Sequence, residues 1–297
     1  MTSEIQDRQF KYVSENLEGD QIETRKVIDR SLTTLAFVLL GLAILPLGLV
    51  LTYVTFKGIG RFNLSLFTEV PPTALQEGGG VGSAIAGTAL VVLIDSVYSI
   101  TIGIAAAIYL SEFSSDQVAK WLRFASNVLS GVPSIIMGIF SYSVVVLSMN
   151  QFSAFAAGFA LSVLMLPIIV RTSDEALQLI PQEVRWASVG VGASDYQTIL
   201  KIVLPASFPA IITGTTLAIA RAAGETAPII FTVLYSQGWP SGVFDESIAT
   251  LSYLIYSFAT VPYENQQELA WAASLILVLL VLLTSIVSRW MTRQQQY

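Results

Sequence analysis

Two charged residues one helical turn apart, inside an otherwise uncharged stretch, hold the most chemical promise in this sequence. Arg221 and Glu225 stand at i and i+4 between Phe208 and Leu234, so on a helix they share one face and neutralise each other. Thr226 follows, and Pro228 has no N–H to give the carbonyl of Gly224, which frees a backbone acceptor beside the pair. A guanidinium is a planar fork of donors that fits oxyanions. The patch therefore reads either as the polar lining of an anion path or as an ion pair that only fixes packing. Asp95 is a second isolated charge in an apolar run, a candidate for the same path that could equally serve a structural pairing with a neighbouring subunit.

Other chemistries are excluded. The chain has no Cys and no His, which removes disulfides, thiolate or imidazole metal sites and the usual nucleophile–imidazole pairs, so neither a metal nor a catalytic residue is expected. None of its five lysines follows Gly or precedes Ser or Thr, so it has no phosphate-binding P-loop. Any process driven by ATP must hydrolyse it on another polypeptide.

The element that positions Arg221 and Asp95 is a membrane. Only 12% of the 297 residues are charged and 54% are apolar, and the apolar residues come in long charge-free runs. Ser31–Phe56 makes a first span, through Pro46, and Ser83–Leu110 a second. Phe124–Val170 is a run of 47 uncharged residues, roughly 70 Å as a single helix, so it must fold back. The polar cluster Ser148, Asn150, Gln151 and Ser153 marks the turn between a third and a fourth span. A fifth runs over Phe208–Leu234 and a sixth over Leu269–Ser288, while the shorter run Ser247–Tyr263 is expected to be interfacial or re-entrant. With an inside N-terminus, this topology puts twelve basic residues inside and only Lys57 and Arg61 outside, as the positive-inside rule requires. Residues 1–30 are polar and acidic and read as a retained cytoplasmic tail; residues 31–297 read as one transmembrane domain with both termini cytoplasmic. In that frame Arg221 lies about 20 Å deep. Placing it there costs about 2.5–3.5 kcal/mol, so it must face protein or water. Gly214 and Ala218 share its stripe and allow a close helix contact.

Residues 171–207 form an inward-facing polar loop full of helix punctuation. Thr172 with Glu175 and Ser194 with Gln197 have capping-box spacing, Pro181-Gln182-Glu183 fits a helix start, and Gly190 and Gly192 can turn the chain. Such a loop is longer than a connection needs and suits docking of a partner.

Here the residues resemble a known family. Gly192, nine residues, Ile202, then Leu204 and Pro205 match the G-x9-I-x-L-P core of the signature loop in ABC-importer permeases. The signature's opening Glu-Ala-Ala is replaced by Trp186-Ala187-Ser188, with Glu183 one turn earlier. Arg221–Pro228 (RAAGETAP) resembles the A-type permeases of bacterial phosphate importers, PstA, as do Gly103–Phe113 (GIAAAIYLSEF) and the GVPSIIMG from Gly131. The likeness spans roughly residues 83–290. It implies an all-α integral membrane protein of the type I ABC-importer permease fold, with six transmembrane helices and a cytoplasmic coupling-helix loop. Glu183, Arg185, Ala187, Gly190, Gly192, Ile202, Leu204 and Pro205 would then form the ATPase coupling loop, and Arg221, Glu225, Thr226 and Asp95 would line the path. The resemblance further implies a PstC-type permease subunit, a PstB-type ATPase dimer binding ATP and Mg, a periplasmic phosphate-binding protein and inorganic phosphate as cargo. The setting is the lipid of a bacterial inner membrane, with no nucleic-acid partner. An ion-coupled secondary anion transporter, using Arg221, Glu225 and Asp95 as coupling groups, is the rival reading.

Overall fold

The computed structural model describes the backbone over residues 2–244 and 247–293 and side chains over 25–244 and 247–290. The side chains of most of the expected 1–30 tail therefore lie outside the described residues. The chain divides into two compact units, residues 1–55 and 56–297. The first lies within a single helix, α1 (Thr2–Gly58), which continues without a break at Pro46 and is long and apolar enough from Arg25 onward to cross a membrane.

In the second unit, a short helix α2 (Leu64–Thr68) is capped by Asn63, whose side-chain oxygen accepts from Leu66 N. The connection that follows is tied down by α13 (Glu264–Arg293): Asn265 donates to the carbonyls of Gln76 and Gly78, and Gln266 to that of Pro72. Two apolar helices, α3 (Gly82–Ile108) and α7 (Ala154–Gln178), form the centre. A side chain on Gly158 would strike Ile94, and one on Gly103 would strike Ile169. The contact thus climbs both helices together, so they run parallel, packed through glycine. Val91, Leu161, Met165 and Ile169 form the core there, joined by Ala218 and Ala222 of α10 (Leu204–Gly224).

Among the described residues five helices are long and apolar enough to cross a bilayer, or six if one bent pair of helices is counted as a single span. That pair departs from the straight third span expected from the sequence. Helix α4 (Asp116–Ser130) and the segment beginning with α5 (Ser134–Ser141) meet at 98°. The break falls at Gly131–Pro133, where proline disfavours a helical conformation in the residue before it. Segment α5 continues through a π turn (Tyr142–Val146) into α6 (Leu147–Met149), and Asn150 turns the chain at φ +55°, inside the expected polar turn.

The fourth span is longer than expected. Arg171, Asp174 and Glu175 belong to α7, so Thr172 and Glu175 do not form a capping box; Glu175 instead pairs with Arg171 at 2.8 Å. Asp174 is buried and takes a two-pronged hydrogen bond from Arg123 of α4, at 2.7 and 3.0 Å. Helix α12 (Leu251–Ala259) occupies the run between the last two spans. Nine residues reach about 13 Å, too short to cross. Its buried first N–H donates to Thr88 of α3, and Leu251, Leu254 and Phe258 pack with Leu269, Ala273 and Ile276 of α13.

Candidate functional site

The loop between α7 and α10 is built from caps. Pro181 opens α8 (Gln182–Gly190), where its missing N–H costs nothing. The helix closes in a Schellman turn: Gly192 N donates to Val189 O at 2.9 Å, Ala193 N to Ser188 O at 3.2 Å, and Gly192 takes φ +93°. Gly190 remains inside α8 with no left-handed backbone, so the turn expected of two glycines is made by one. Ser194 then caps α9 (Asp195–Thr198) in the expected capping box with Gln197. From α9 the chain passes through a π turn (Ile199–Val203) directly into α10. Pro205 has no N–H for the carbonyl of Lys201, which accounts for the wider turn just ahead of it. The helical run that is long and apolar enough for the fifth span therefore already begins at Asp195, and Ile202, Leu204 and Pro205 lie on its first turns as well as at the end of the loop.

Helix α8 has two faces. Ser188 is buried and its hydroxyl shares a 2.8 Å hydrogen bond with Thr198, while the Arg185 guanidinium turns inward to Glu112. Outward stand Glu183 and Ala187, with Trp186 at 65% exposure, Val189 and, beyond the helix, Val191 at 87%. Those three side chains make an apolar surface on a segment that belongs to no span. Sequence reasoning placed Arg185 in the ATPase coupling loop and gave Trp186 no role there. The signal was present: a tryptophan in a polar loop, one position from an arginine, is turned about 100° away from it on a helix and need not share its face.

At the other end of α10 the helix stops at Gly224 and does not run to Leu234 as expected. Glu225 is extended, with ψ 131°, and a short helix α11 (Ala227–Thr232) restarts with Pro228 in its first turn. The cause is the proline, whose ring would collide with the carbonyl of Gly224 in a continuous helix. Two interrupted spans meet here, since a side chain on Gly138 of α5 would come within 2.8 Å of Pro228 Cα. Non-helical backbone at membrane depth persists only where protein or a watery cavity covers it.

Arg221, Glu225 and Thr226 come together at this break. Arg221 Nε donates to Glu225 Oε1 at 3.2 Å; the arginine side chain is 56% exposed, the glutamate 17%. Among the described residues the two terminal guanidinium nitrogens of Arg221 make no hydrogen bond, which leaves the flat side of the fork open to an oxyanion. Gly214 does permit the close contact its stripe suggested, because a Cβ there would lie 2.6 Å from Thr172 Oγ1. Asp95 is placed elsewhere. It is fully buried in the middle of α3, one turn from Ser99, and among the described residues neither of its oxygens has a hydrogen-bond partner. The structure does not bring it to Arg221.

Residues 99–296 match the family of binding-protein-dependent transport system inner membrane components. The phosphate transport system permease protein PstA of Yersinia pestis is 42% identical over 78% of this chain and 79% of its own length. That of Pasteurella multocida is 35% identical over 89% and 94%. The fold resembles a chain of a bacterial alginate ABC transporter crystallised with an alginate pentasaccharide-bound periplasmic protein, at a TM-score of 0.63 and 15% identity over 91% of this chain and 96% of that one. It also resembles a chain of the inward-facing MetNI methionine ABC transporter, at 0.58 and 17% over 71% and 94%. A multi-pass helical chain, a Schellman-turned helix between its spans and these relatives lead to one assignment: the chain belongs to the binding-protein-dependent transport system inner membrane components, with the type I ABC-importer permease fold, and among them to the PstA permeases.

Proposed function

We propose that this chain is one half of the transmembrane path of an ATP-driven importer of inorganic phosphate. The observation that carries the reading is an apolar face, Trp186, Val189 and Val191, displayed on a loop of a chain that has no P-loop of its own. A surface of that kind needs a partner, and an ATPase subunit supplies the missing engine. The partners are a PstC-type permease, a PstB-type ATPase pair that binds ATP and Mg, and a periplasmic phosphate-binding protein. Phosphate as cargo is supported by the names of the relatives and by the open guanidinium fork of Arg221.

The charge distribution supports an orientation with both termini and α8 in the cytoplasm, residues 1–30 forming a tail and 31–297 the permease domain. Phosphate would be released from its binding protein between the two permeases and pass the Arg221–Glu225 break. ATP binding and hydrolysis beneath α8 would switch the path from outward- to inward-facing.

The test is reconstitution of the full complex in liposomes with labelled phosphate. Uptake should require ATP, the ATPase and loaded binding protein together. Uptake that continues without the ATPase and stops when ion gradients are collapsed would instead establish the secondary-transporter reading.

A further inference from the structure

The underside of α8 carries a contact that docking does not explain. Arg185 donates from Nη2 to Glu112 Oε1 at 2.8 Å and from Nε to Glu112 Oε2 at 3.2 Å. Nη2 also reaches the carbonyl of Leu177 at 3.0 Å, and Nη1 reaches that of Ile180. One guanidinium thereby ties together three elements: α8, the π turn Tyr109–Phe113 that ends α3, and the last turn of α7. Both partners are largely enclosed, at 14% and 8% exposure, and Ser111 donates to the same carboxylate at 3.0 Å. Directly beyond lies an apolar cluster of Ala107, Leu177, Val203 and Ile211, which draws in α10 as well. The Phe113 and Tyr196 rings, 5.6 Å apart, fasten the α9 side of the loop to the same π turn.

We infer that the Glu112–Arg185 pair is the joint through which displacement of α8 is passed to α3 and α7, so that Arg185 is a positioning residue and not an ATPase contact. The physical reason is stiffness. Arg185 spends its donors on a carboxylate and two carbonyls in fixed directions, with little water to exchange for them, so α8 cannot tilt without pulling on the ends of both central helices. An outer face that binds a partner and an inner face bolted to the core are what transmission of a force requires.

The inference rests on the importer reading above, and its test separates the two. The readout is phosphate taken up per ATP hydrolysed, measured in liposomes with the complete complex and loaded binding protein. A pair that serves stability alone would change the amount of complex recovered but leave this ratio unaltered. Glu112→Gln, nearly isosteric, should lower the ratio at least tenfold. The double variant E112C/R185C, in a chain with no other cysteine, should lower it similarly. Joining the two new thiols with a bifunctional thiosulfonate about as long as the lost pair should restore the ratio, and reduction should abolish it again. A normal ratio in Glu112→Gln, or a double variant indifferent to the tether, would overturn the joint. An unaltered complex with no ATP-linked uptake would overturn the importer reading instead.

Discussion

Replacing Gly192 by valine separates conformational strain from steric clash. Gly192 holds φ +93° at the turn that ends α8, and among the described residues, its chain neighbours aside, no atom lies within 4 Å of where its Cβ would stand. The new Cβ therefore has open space, and the effect argued here is that of the backbone. Left-handed conformations cost an L-residue roughly 1–2 kcal/mol, with β-branched residues at the upper end. That lowers the ratio of the native turn to alternative backbone forms by a factor of about 5–30. Only the turned form displays Val189 and Val191 beside Trp186, so the apparent affinity for the ATPase should fall by up to that factor. The spans should be unaffected, because both turn hydrogen bonds lie within residues 188–193. Gly192→Asn, whose side chain tolerates the left-handed region, should lose only a few-fold. The assay is recovery of the ATPase with the tagged permease, with phosphate uptake alongside. Normal ATPase recovery and uptake in Gly192→Val would refute the assignment of α8 as the docking element.

The exchange of Arg221→Glu with Glu225→Arg keeps the net charge but moves the cation to a position only 17% exposed and puts a carboxylate where an anion should pass. Uptake per recovered complex should fall at least tenfold, and near-normal uptake would assign the pair to packing alone. Single cysteines at Ser194 and Trp290 should react with an impermeant thiol reagent from the cytoplasmic side, and one at Ser241 from the outside. Outside labelling at Trp290 would invert the last span. Gly87→Ala would drive a methyl group into the backbone carbonyl of Ala249, which cannot swing aside. We expect loss of most of the folded subunit, corresponding to about 1–3 kcal/mol or more of overpacking, and normal membrane levels would contradict the α3 contact.

Where the bilayer is the solvent, sequence alone determines a great deal. Lipid demands long charge-free runs, so the number of spans follows from composition, and the turn at Asn150 from the few polar residues available to make one. The caps of the loop were legible for a similar reason: the Ser194–Gln197 box and the left-handed Gly192 depend on residues within a few positions of each other. The interruptions were harder to place. Pro133 and Pro228 are visible as residues, but whether a proline kinks a membrane helix or ends it depends on what covers the freed backbone. Here α5 and α11 meet each other at their breaks, a contact between residues about ninety positions apart. The fate of individual charges was also decided in three dimensions. Asp174 looked like a loop residue until Arg123 arrived from α4, and Arg185 looked like a docking contact until Glu112 arrived from the end of α3, 73 residues earlier in the chain. A periodic pattern records which face of a helix is apolar. It does not record which distant carboxylate waits against that face, and that partner determines whether an arginine points outward to another protein or inward to hold its own helices together.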